Sequence, residues 1–403
     1  MTSGLEGEIE RLRSELERVN ERLRIQDELL QSRMRIERML ALERVELAAD
    51  QQLAADTLQV PQGEERARAD FGWNLHADTA FANPHPGFDH VCHIAHADWF
   101  GIRAAMGSLP GNKLVIPSVR RLTADEIGQV TGHLERASIS RLVLHGMSEG
   151  MHDLAARLRG KGWERQYLVW HGTTTQWANA DEKQLALRAI RMARRGEVRR
   201  FSAIRRGLHA IVGDRDFRPQ LLNLPPRWEA TPLHCFRPRG KRVALAPSWN
   251  DLRKNLATNV LAAECSPWIG ETRVIAESFA LPRWLSTKVV RQRKLDYRSM
   301  ISTMAASDLI LNVTTIDCHP MVDLEALAGG TPCIRGPLFL DGLDDHPYIE
   351  LTAVANPMSV EDVTARIDAV MAMDARELQA CMADYAARLK DLAFSRYADF
   401  LEL

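Results

Sequence analysis

The sequence lacks the features that mark several classes of protein. None of its apolar runs approaches the roughly 20 residues of a membrane-spanning helix, and the charged N-terminus is unlike a secretory signal. The six cysteines among 403 residues are scattered, and none forms a C-x-x-C pair. Scattered cysteines are typical of buried thiols in a reducing compartment. These absences predict a cytoplasmic protein without a transmembrane segment.

An excess of one charge is also missing, as are the common nucleotide-binding motifs. The chain has 52 Lys and Arg against 53 Asp and Glu, a formal net charge of −1. Its 45% hydrophobic and 26% charged residues are ordinary for a globular protein and exclude whole-chain disorder or collagen. Neither G-x-G-x-x-G nor G-x-x-x-x-G-K-[ST] occurs, which argues against a dinucleotide dehydrogenase and a P-loop NTPase. At about 150 residues per domain, the length predicts two to three domains.

Residues 1–50 differ from the rest, because they contain neither proline nor an aromatic residue. Apolar residues recur from Leu5 to Leu30 with the alternating spacing of four and three that is typical of a coiled-coil seam, with Gln26 as its polar member. The pattern predicts a coiled-coil oligomerisation helix over 1–50 that assembles the chain into a homo-oligomer. A lone amphipathic helix packed on its own domain is the alternative.

From Phe88 onward, short apolar strands alternate with helices, a rhythm that predicts parallel sheets. A proline-rich crossover from Pro219 to Pro232 divides the strands into two series. We therefore predict an α/β fold with two Rossmann-like, doubly wound domains that face a cleft, 88–232 and 233–403, after a linker over 51–87. The predicted strands are Val91–Ala95, Lys113–Pro117, Arg141–His145, Gln166–Trp170, Arg242–Ala246, Thr272–Ala276, Lys288–Val290, Leu309–Val313 and Pro332–Ile334.

The segment from Asp308 to Ile334 is the most informative part of the chain. It consists of a predicted buried strand, a loop rich in hydroxyls, a helix that begins near Pro320 and a glycine turn. The free N–H groups and positive dipole end of such a helix suit a phosphate or a sugar hydroxyl. Asp317 precedes the helix and Glu325 lies within it, so the two carboxylates can contact different parts of one extended ligand.

Asp317-x7-Glu325, followed by A-L-A-G-G-T-P, resembles the E-x7-E segment of retaining GT-B glycosyltransferases. The resemblance implies that Glu325 accepts hydrogen bonds from a nucleotide ribose and that Asp317 contacts the transferred sugar. It also implies donor contacts from the segment that follows Asp317. Aspartate is one methylene shorter than the glutamate of the family. The donor-binding residues implied in this segment are His319, Pro320, Met321, Val322 and Glu325.

The segment from Val243 to Leu256 resembles the first strand and turn of the donor domain in the same family, where an Arg and a Lys six residues apart hold the diphosphate. Lys254 occupies the lysine position, whereas Ser248 occupies the arginine position. Arg253 is a candidate for the second cation. An ordinary surface lysine is the alternative for Lys254.

His171 is followed by Gly172 at the carboxyl end of a predicted strand, which places it in the cleft. The family often carries a histidine there, close to the donor sugar and its phosphate. A core or capping histidine is the alternative, and His145 ends the preceding strand in a similar way. Val290 and Arg291, at the end of another predicted strand, complete the donor-binding candidates.

The resemblance implies transfer of a sugar from a nucleoside diphosphate sugar to an acceptor, with retention and without a metal or cofactor. The implied catalytic residues are His171, Lys254 and Asp317. An inactive nucleotide-sugar-binding scaffold and a sugar-nucleotide epimerase are alternative functions. The scaffold is favoured by the two departures from the family pattern, Ser248 and Asp317.

Two further segments suggest other ligands. The Arg-rich run over 181–206 indicates either a solvated helical face or a surface for an anionic acceptor, such as nucleic acid, a lipid phosphate or an acidic glycan. The histidines and cysteine between His85 and Asp98 resemble a zinc-binding cluster. Their alternative role is to line the acceptor side of the cleft.

Overall fold

The computed structural model describes residues 72–117, 121–208, 219–228, 236–275 and 288–403. These ranges belong to one compact unit, residues 69–403. The predicted coiled coil over 1–50 and the first part of the predicted linker lie outside the described residues. None of the helices in the described ranges has the length and apolar character that a membrane span requires.

The first sheet has six strands in the order β1-β3-β2-β4-β5-β6, and all its neighbours are parallel except β1 and β3. The side chains of β2 and β5 are buried throughout, as expected for a parallel sheet covered on both faces. Setting aside β1, the strand order is that of a doubly wound sheet whose order reverses between β2 and β4. The strands are β1 Gly72–Trp73, β2 Val91–His96, β3 Asn112–Ile116, β4 Arg141–His145, β5 Gln166–Trp170 and β6 Arg200–Ala203.

Within the described ranges, five α-helices accompany this sheet, and polar side chains cap several of them. Thr123 and Glu126 form a reciprocal capping box, which satisfies two N–H groups that the helix leaves free. Ser148 caps the next helix by accepting from the Met151 amide at 3.0 Å. The helices are α1 His76–Thr79, α2 Phe100–Ser108, α3 Ala124–Arg136, α4 Glu149–Gly160 and α5 Ala180–Arg194.

The predicted linker over 51–87 extends too far toward the C-terminus. Gly72 and Trp73 form β1 and pair with Val115 and Leu114 of β3. Asp78 of α1 also forms an ion pair with Arg103 of α2 at 2.8 Å. Residues 72–79 therefore belong to the first sheet domain. A strand of two residues carries no periodicity, so the sequence pattern could not indicate it.

The second sheet has five parallel strands in the order β11-β10-β7-β8-β9, with its reversal between β7 and β10. Together the two sheets confirm the predicted α/β class and its two Rossmann-like halves. The strands are β7 Arg242–Ala246, β8 Ile269–Val274, β9 Val289–Arg291, β10 Leu309–Asn312 and β11 Cys333–Arg335. The helices are α6 Leu256–Cys265, α7 Tyr297–Ala305, α8 Met321–Ala328, α9 Pro347–Thr352, α10 Val360–Ala372 and α11 Ala375–Leu401.

The end of α11 returns to the first sheet. The Arg141 side chain donates to the Leu401 carbonyl at 2.8 Å, and the Tyr167 hydroxyl donates to Glu402 at 2.8 Å. Arg199 adds an ion pair to Glu402 at 3.0 Å. The last helix of the predicted domain 233–403 thus joins the two sheets, and one apolar cluster extends from Val143 of β4 to Leu311 of β10.

Candidate functional site

Lys254 and Asp317 meet at the point where the strand order of the second sheet reverses. Lys254 follows β7 in a short 3₁₀ turn, Leu252–Lys254, and Asp317 lies in the loop after β10. β7 and β10 are neighbours with their carboxyl ends at the same edge. Doubly wound sheets bind ligands at this edge, beside the reversal. Two residues 63 positions apart in sequence are thereby brought to one binding edge.

The two side chains form a nearly buried ion pair. The Lys254 Nζ atom lies 2.7 Å from the Asp317 Oδ2 atom, with about a tenth of each side chain exposed. Asp317 Oδ1 also accepts from the Cys318 amide at 2.9 Å. The exposed Trp249 ring lies over the ammonium, 5.3 Å from its centroid. Lys254 is therefore a shielded cation, and an anionic ligand must share it with Asp317.

Three cations surround the segment Asp317–Cys318. Burial raises the pKa of the Cys318 thiol to about 12 and Asp317 adds to the rise, while Arg205, Arg253 and Lys254 oppose it. The guanidinium of Arg205, which follows β6 of the first sheet, also donates a hydrogen bond to the Asp317 carbonyl. Arg205 belongs to the Arg-rich run, and nothing in that run distinguishes it. Sequence reasoning therefore missed it as a site residue.

Helix α8 begins four residues after Asp317 and has no side-chain cap. Pro320 is its N-cap residue and makes no capping hydrogen bond, so Met321 and Val322 present the first N–H groups of the helix. The predicted start near Pro320 is thus confirmed to within a residue. An uncapped N-terminus beside a lysine suits a phosphate, because the N–H groups and the ammonium both favour negative charge.

His319 is held by the crossover between the sheets. Its Nδ1 atom accepts from the Asn223 amide at 3.1 Å, and its carbonyl accepts from the Asn223 side chain at 2.7 Å. Burial, with a further contribution from Arg335, lowers the pKa of His319 to about 3. The ring is therefore neutral, and it contributes no charge to a bound donor.

Glu325 lies inside α8, and only 6% of its surface is exposed. Burial raises its pKa to about 7; Tyr297 acts in the opposite direction, and Asp323 adds a smaller rise. The Tyr297 ring in turn packs edge-on against Phe81 of the first domain, with centroids 4.9 Å apart. A buried carboxyl group with a strongly shifted pKa is a frequent mark of a functional site.

Ser248 and Arg253 hold the loops of the site together. The Ser248 hydroxyl donates to Asn312 at 3.2 Å, and Asn312 donates to Asp323 at 2.8 Å. The Arg253 carbonyl accepts from the Thr315 amide at 3.0 Å. Ser248 is thus part of a buried series of polar side chains behind the binding edge. The Arg253 side chain, in contrast, opposes the rise in the pKa of Cys318.

Val290 and Arg291 lie two strands from β7 and three from β10, the strands that precede Lys254 and Asp317. Both lie in β9, the outer strand of the second sheet, and the Val290 side chain is exposed. β7 and β8 separate this strand from β10, which precedes Asp317. The strand pairing thus gives these two residues no place beside Asp317.

His171 contacts the second domain through its backbone carbonyl. It follows β5, and its carbonyl accepts from the Cys318 thiol at 2.9 Å. Its Nε2 atom lies 2.9 Å from His145 Nδ1, and His145 Nε2 lies 2.9 Å from His93 Nδ1. Burial lowers the pKa of His171 to about 3, so the ring is neutral. Sequence reasoning singled out His171, with His145 as a weaker candidate, and missed their connection to His93.

The suggested zinc cluster is not assembled. His90 precedes β2 and bonds to the Ser138 carbonyl at 3.0 Å, whereas His96 bonds to Pro117 and Ser148. Burial raises the pKa of the Cys92 thiol to about 12, which disfavours a thiolate ligand. Within the described ranges, no group of three His, Cys, Asp or Glu side chains could hold a metal ion.

The Arg-rich run is not one helical face. Helix α5 ends at Arg194, and β6 begins at Arg200. Several of its arginines pair with carboxylates of this chain: Arg188 with Glu149, Arg199 and Arg200 with Glu402, and Arg206 with Asp341. Much of the charge of the run is thus used within the protein, which weakens the argument for an anionic acceptor.

The fold and site together define a class of α/β protein: two doubly wound, mainly parallel sheets with a polar, cationic site at their strand ends. No protein-family model matches the sequence, and no curated protein matches it.

Among solved structures, the chain is similar to sucrose-phosphate synthase from Thermosynechococcus elongatus, with 12% identity, 77% of this chain and 96% of that chain covered, and a TM-score of 0.49. It is also similar to an alpha,alpha-trehalose-phosphate synthase (UDP-forming) from Burkholderia vietnamiensis, with 11% identity, coverages of 78% and 99%, and a TM-score of 0.48. At identities of 12% and 11%, these likenesses concern the fold alone.

Proposed function

We propose that the chain is a glycosyltransferase that moves a sugar from a nucleoside diphosphate sugar to an acceptor, with retention at the anomeric carbon. One observation carries the proposal. The carboxylates of the Asp317-x7-Glu325 motif flank the uncapped N-terminus of α8, and Lys254 contacts the first of them at 2.7 Å. A phosphate-binding helix end, a cation and two acidic side chains for hydroxyl groups match the parts of a sugar nucleotide.

The diphosphate is assigned to the cationic end of the site. Lys254, Arg253 and Arg205 surround the loop before α8, and the uncapped first turn of that helix follows this loop in the chain. When the bond from the anomeric carbon to the phosphate oxygen breaks, negative charge develops on the departing diphosphate. Fixed positive groups at that position stabilise this charge in the transition state.

The ribose is assigned to Glu325. An ionised carboxylate accepts hydrogen bonds from two neighbouring hydroxyls, whereas a protonated one has less accepting capacity. Because the pKa of Glu325 is raised to about 7, the ionised form predominates only above neutral pH. Donor affinity should therefore increase as the pH rises through 7.

The transferred sugar is assigned to Asp317 of the second domain and His171 of the first. His171 is neutral, so it acts as a hydrogen-bond partner of the sugar or the leaving oxygen. In the proposed step, the anomeric carbon forms a bond to the acceptor oxygen as its bond to the phosphate oxygen breaks. The acceptor proton passes to the departing phosphate, which balances the reaction without a protein nucleophile.

Thermal unfolding with UDP, GDP, ADP and dTDP tests the donor site, because a ligand that binds the folded state raises the unfolding temperature. We expect one of them to raise it, and the corresponding sugar nucleotide to do so as well. Glu325→Gln and Lys254→Met should each weaken binding about 10- to 100-fold, the equivalent of a charged hydrogen bond. Glu361→Gln, at an exposed position of α10, is the control. Unchanged unfolding temperatures with all four nucleotides would contradict the proposal.

An inactive nucleotide-sugar-binding scaffold is the second candidate. Ser248 stands at the position of the family arginine and bonds to Asn312, which leaves one expected cation unprovided there. Donor binding without any transfer or hydrolysis would favour the scaffold. Turnover of the donor without an acceptor to a second sugar nucleotide would instead indicate an epimerase. Homo-oligomerisation through residues 1–50 and a cytoplasmic location stay predictions from the sequence.

A further inference from the structure

Three histidines, of which His93 and His145 are buried and His171 is partly exposed, form a continuous hydrogen-bonded series from the end of β5 into the first sheet. His171 follows β5, His145 ends β4 and His93 lies in the middle of β2. The two ring-to-ring contacts are both 2.9 Å, from His171 Nε2 to His145 Nδ1 and from His145 Nε2 to His93 Nδ1. β2 and β4 are the strands between which the order of the sheet reverses. The three histidines therefore lie at the strand reversal where the first domain is expected to bind a ligand.

The three histidine rings can hold their hydrogens in only two ways when all of them are neutral. Each nitrogen-to-nitrogen contact has room for one hydrogen, and a neutral imidazole carries one hydrogen in total. If His171 donates from Nε2, then His145 and His93 must also carry their hydrogen on Nε2. If His93 donates from Nδ1, all three carry it on Nδ1. The three rings consequently share one tautomer.

We propose that His145 and His93 are positioning residues that fix the ring of His171 and determine whether its Nδ1 atom donates or accepts in the cleft. The three rings act as one tautomeric unit, because a change at either end requires a change in every ring. The assignment of the cleft ligand as a sugar nucleotide rests on the proposed function. The tautomeric coupling does not.

The surroundings of the chain keep its rings neutral. Burial lowers the pKa of His145 and His93 well below the ordinary range, and Lys113 adds to this effect for both. Lys113 lies on β3 in register with His93 and donates to the Pro110 and Gly111 carbonyls at 3.1 and 2.8 Å. His93 Nε2 is buried and lacks a well-aligned hydrogen bond, although the Pro110 carbonyl interacts with the ring and raises its pKa. The inner end of the chain is thus closed to solvent.

His96 provides a matched control on the same strand. It is as fully buried as His93, but its Nδ1 atom lies 2.9 Å from the Pro117 carbonyl and its Nε2 atom contacts Ser148. A carbonyl can only accept, so His96 must carry its hydrogen on Nδ1. Its tautomer is set independently of the three-ring chain.

The test is nitrogen NMR of the full chain with ¹⁵N-labelled histidine, in the absence of ligand, with assignments from single variants. We expect His171, His145 and His93 to be neutral near pH 7 and to show one pure tautomer in common. In His145→Phe, which removes both nitrogens of the central ring, His171 should show averaged signals of both tautomers. In His96→Phe, His171 should keep the pure tautomer of the wild type.

Different tautomers among the three rings, or a pure His171 tautomer in His145→Phe, would overturn the proposal. If His145→Phe does not reproduce the wild-type circular dichroism spectrum and is therefore misfolded, His145→Leu replaces it. The wild-type measurement needs no substrate, and its signals are assigned from single histidine variants that fold. If the three rings share one tautomer but the protein binds no nucleoside diphosphate, the tautomeric coupling stands and the proposed function is refuted. If the protein binds a donor but the three rings show different tautomers, the proposed function stands and the tautomeric coupling is refuted.

Discussion

Glu325→Gln should stabilise the folded protein at alkaline pH, although it removes a proposed ribose ligand. The Glu325 carboxyl is buried, and its pKa rises from an ordinary value of 4.5 to about 7. A raised pKa means that the folded state binds a proton that the unfolded state has already released. Stability must therefore fall as the pH rises from 4.5 to 7. Glutamine resembles the protonated acid in shape and carries no charge to desolvate.

The size of the effect follows from the two pKa values. One pH unit corresponds to about 1.4 kcal/mol, so a rise from 4.5 to about 7 costs the folded state about 3 kcal/mol above neutral pH. Below pH 4.5 the carboxyl is protonated in both states, and the cost disappears. The stability gained in Glu325→Gln should therefore be small near pH 4.5 and approach about 3 kcal/mol at pH 8.5.

Urea unfolding of the wild type and Glu325→Gln at these two pH values measures the difference. Glu361→Gln, with its exposed position, should gain no stability at pH 8.5. The reasoning is refuted if the gain of Glu325→Gln is the same at both pH values, or if the variant is less stable at pH 8.5. Confirmation would indicate that the site retains a costly carboxylate, as expected where function opposes stability.

Two further predictions concern ion pairs. Lys254→Met and Asp317→Asn should each destabilise the protein by about 3 kcal/mol, because each leaves a nearly buried charge unpaired. The double variant should recover part of that loss. Strictly additive losses of unfolding free energy in urea would contradict this prediction. Hydrogen bonds from Arg199 and Tyr167 lower the pKa of Glu402 to about 2, so this group contributes stability above pH 4.5 that is lost as the pH falls toward 2. Glu402→Gln should flatten that part of the acid-unfolding curve, and an unchanged curve would argue against a role of Glu402 in joining α11 to the first sheet.

Much of the fold could be predicted because a parallel strand buried on both faces is a continuous apolar run. The predicted bounds of β4, β5 and β7 agree with the structure at both ends. The strands that were missed lack this signal. β1 has two residues, and β6 begins with Arg200 inside a charged run.

The site was predictable only where its residues are close in sequence. Asp317, Pro320 and Glu325 lie within one loop and helix, and their positions around the start of α8 follow from local spacing. Arg205 could not be selected from its neighbours in the run, because only the approach of the two sheets brings it to the Asp317 carbonyl. The edge position of Val290 and Arg291 likewise depends on strand order.

The sequence by itself determined the two series of parallel strands and the acidic pair around a helix N-terminus, since both depend on interactions between near neighbours. Only the tertiary structure decided the partners of these residues. It placed Asp317 on Lys254, joined His93, His145 and His171 across three strands, and buried Glu325 enough to raise its pKa to about 7. The physical reason is that pairing and desolvation depend on distance in space, which strand order sets.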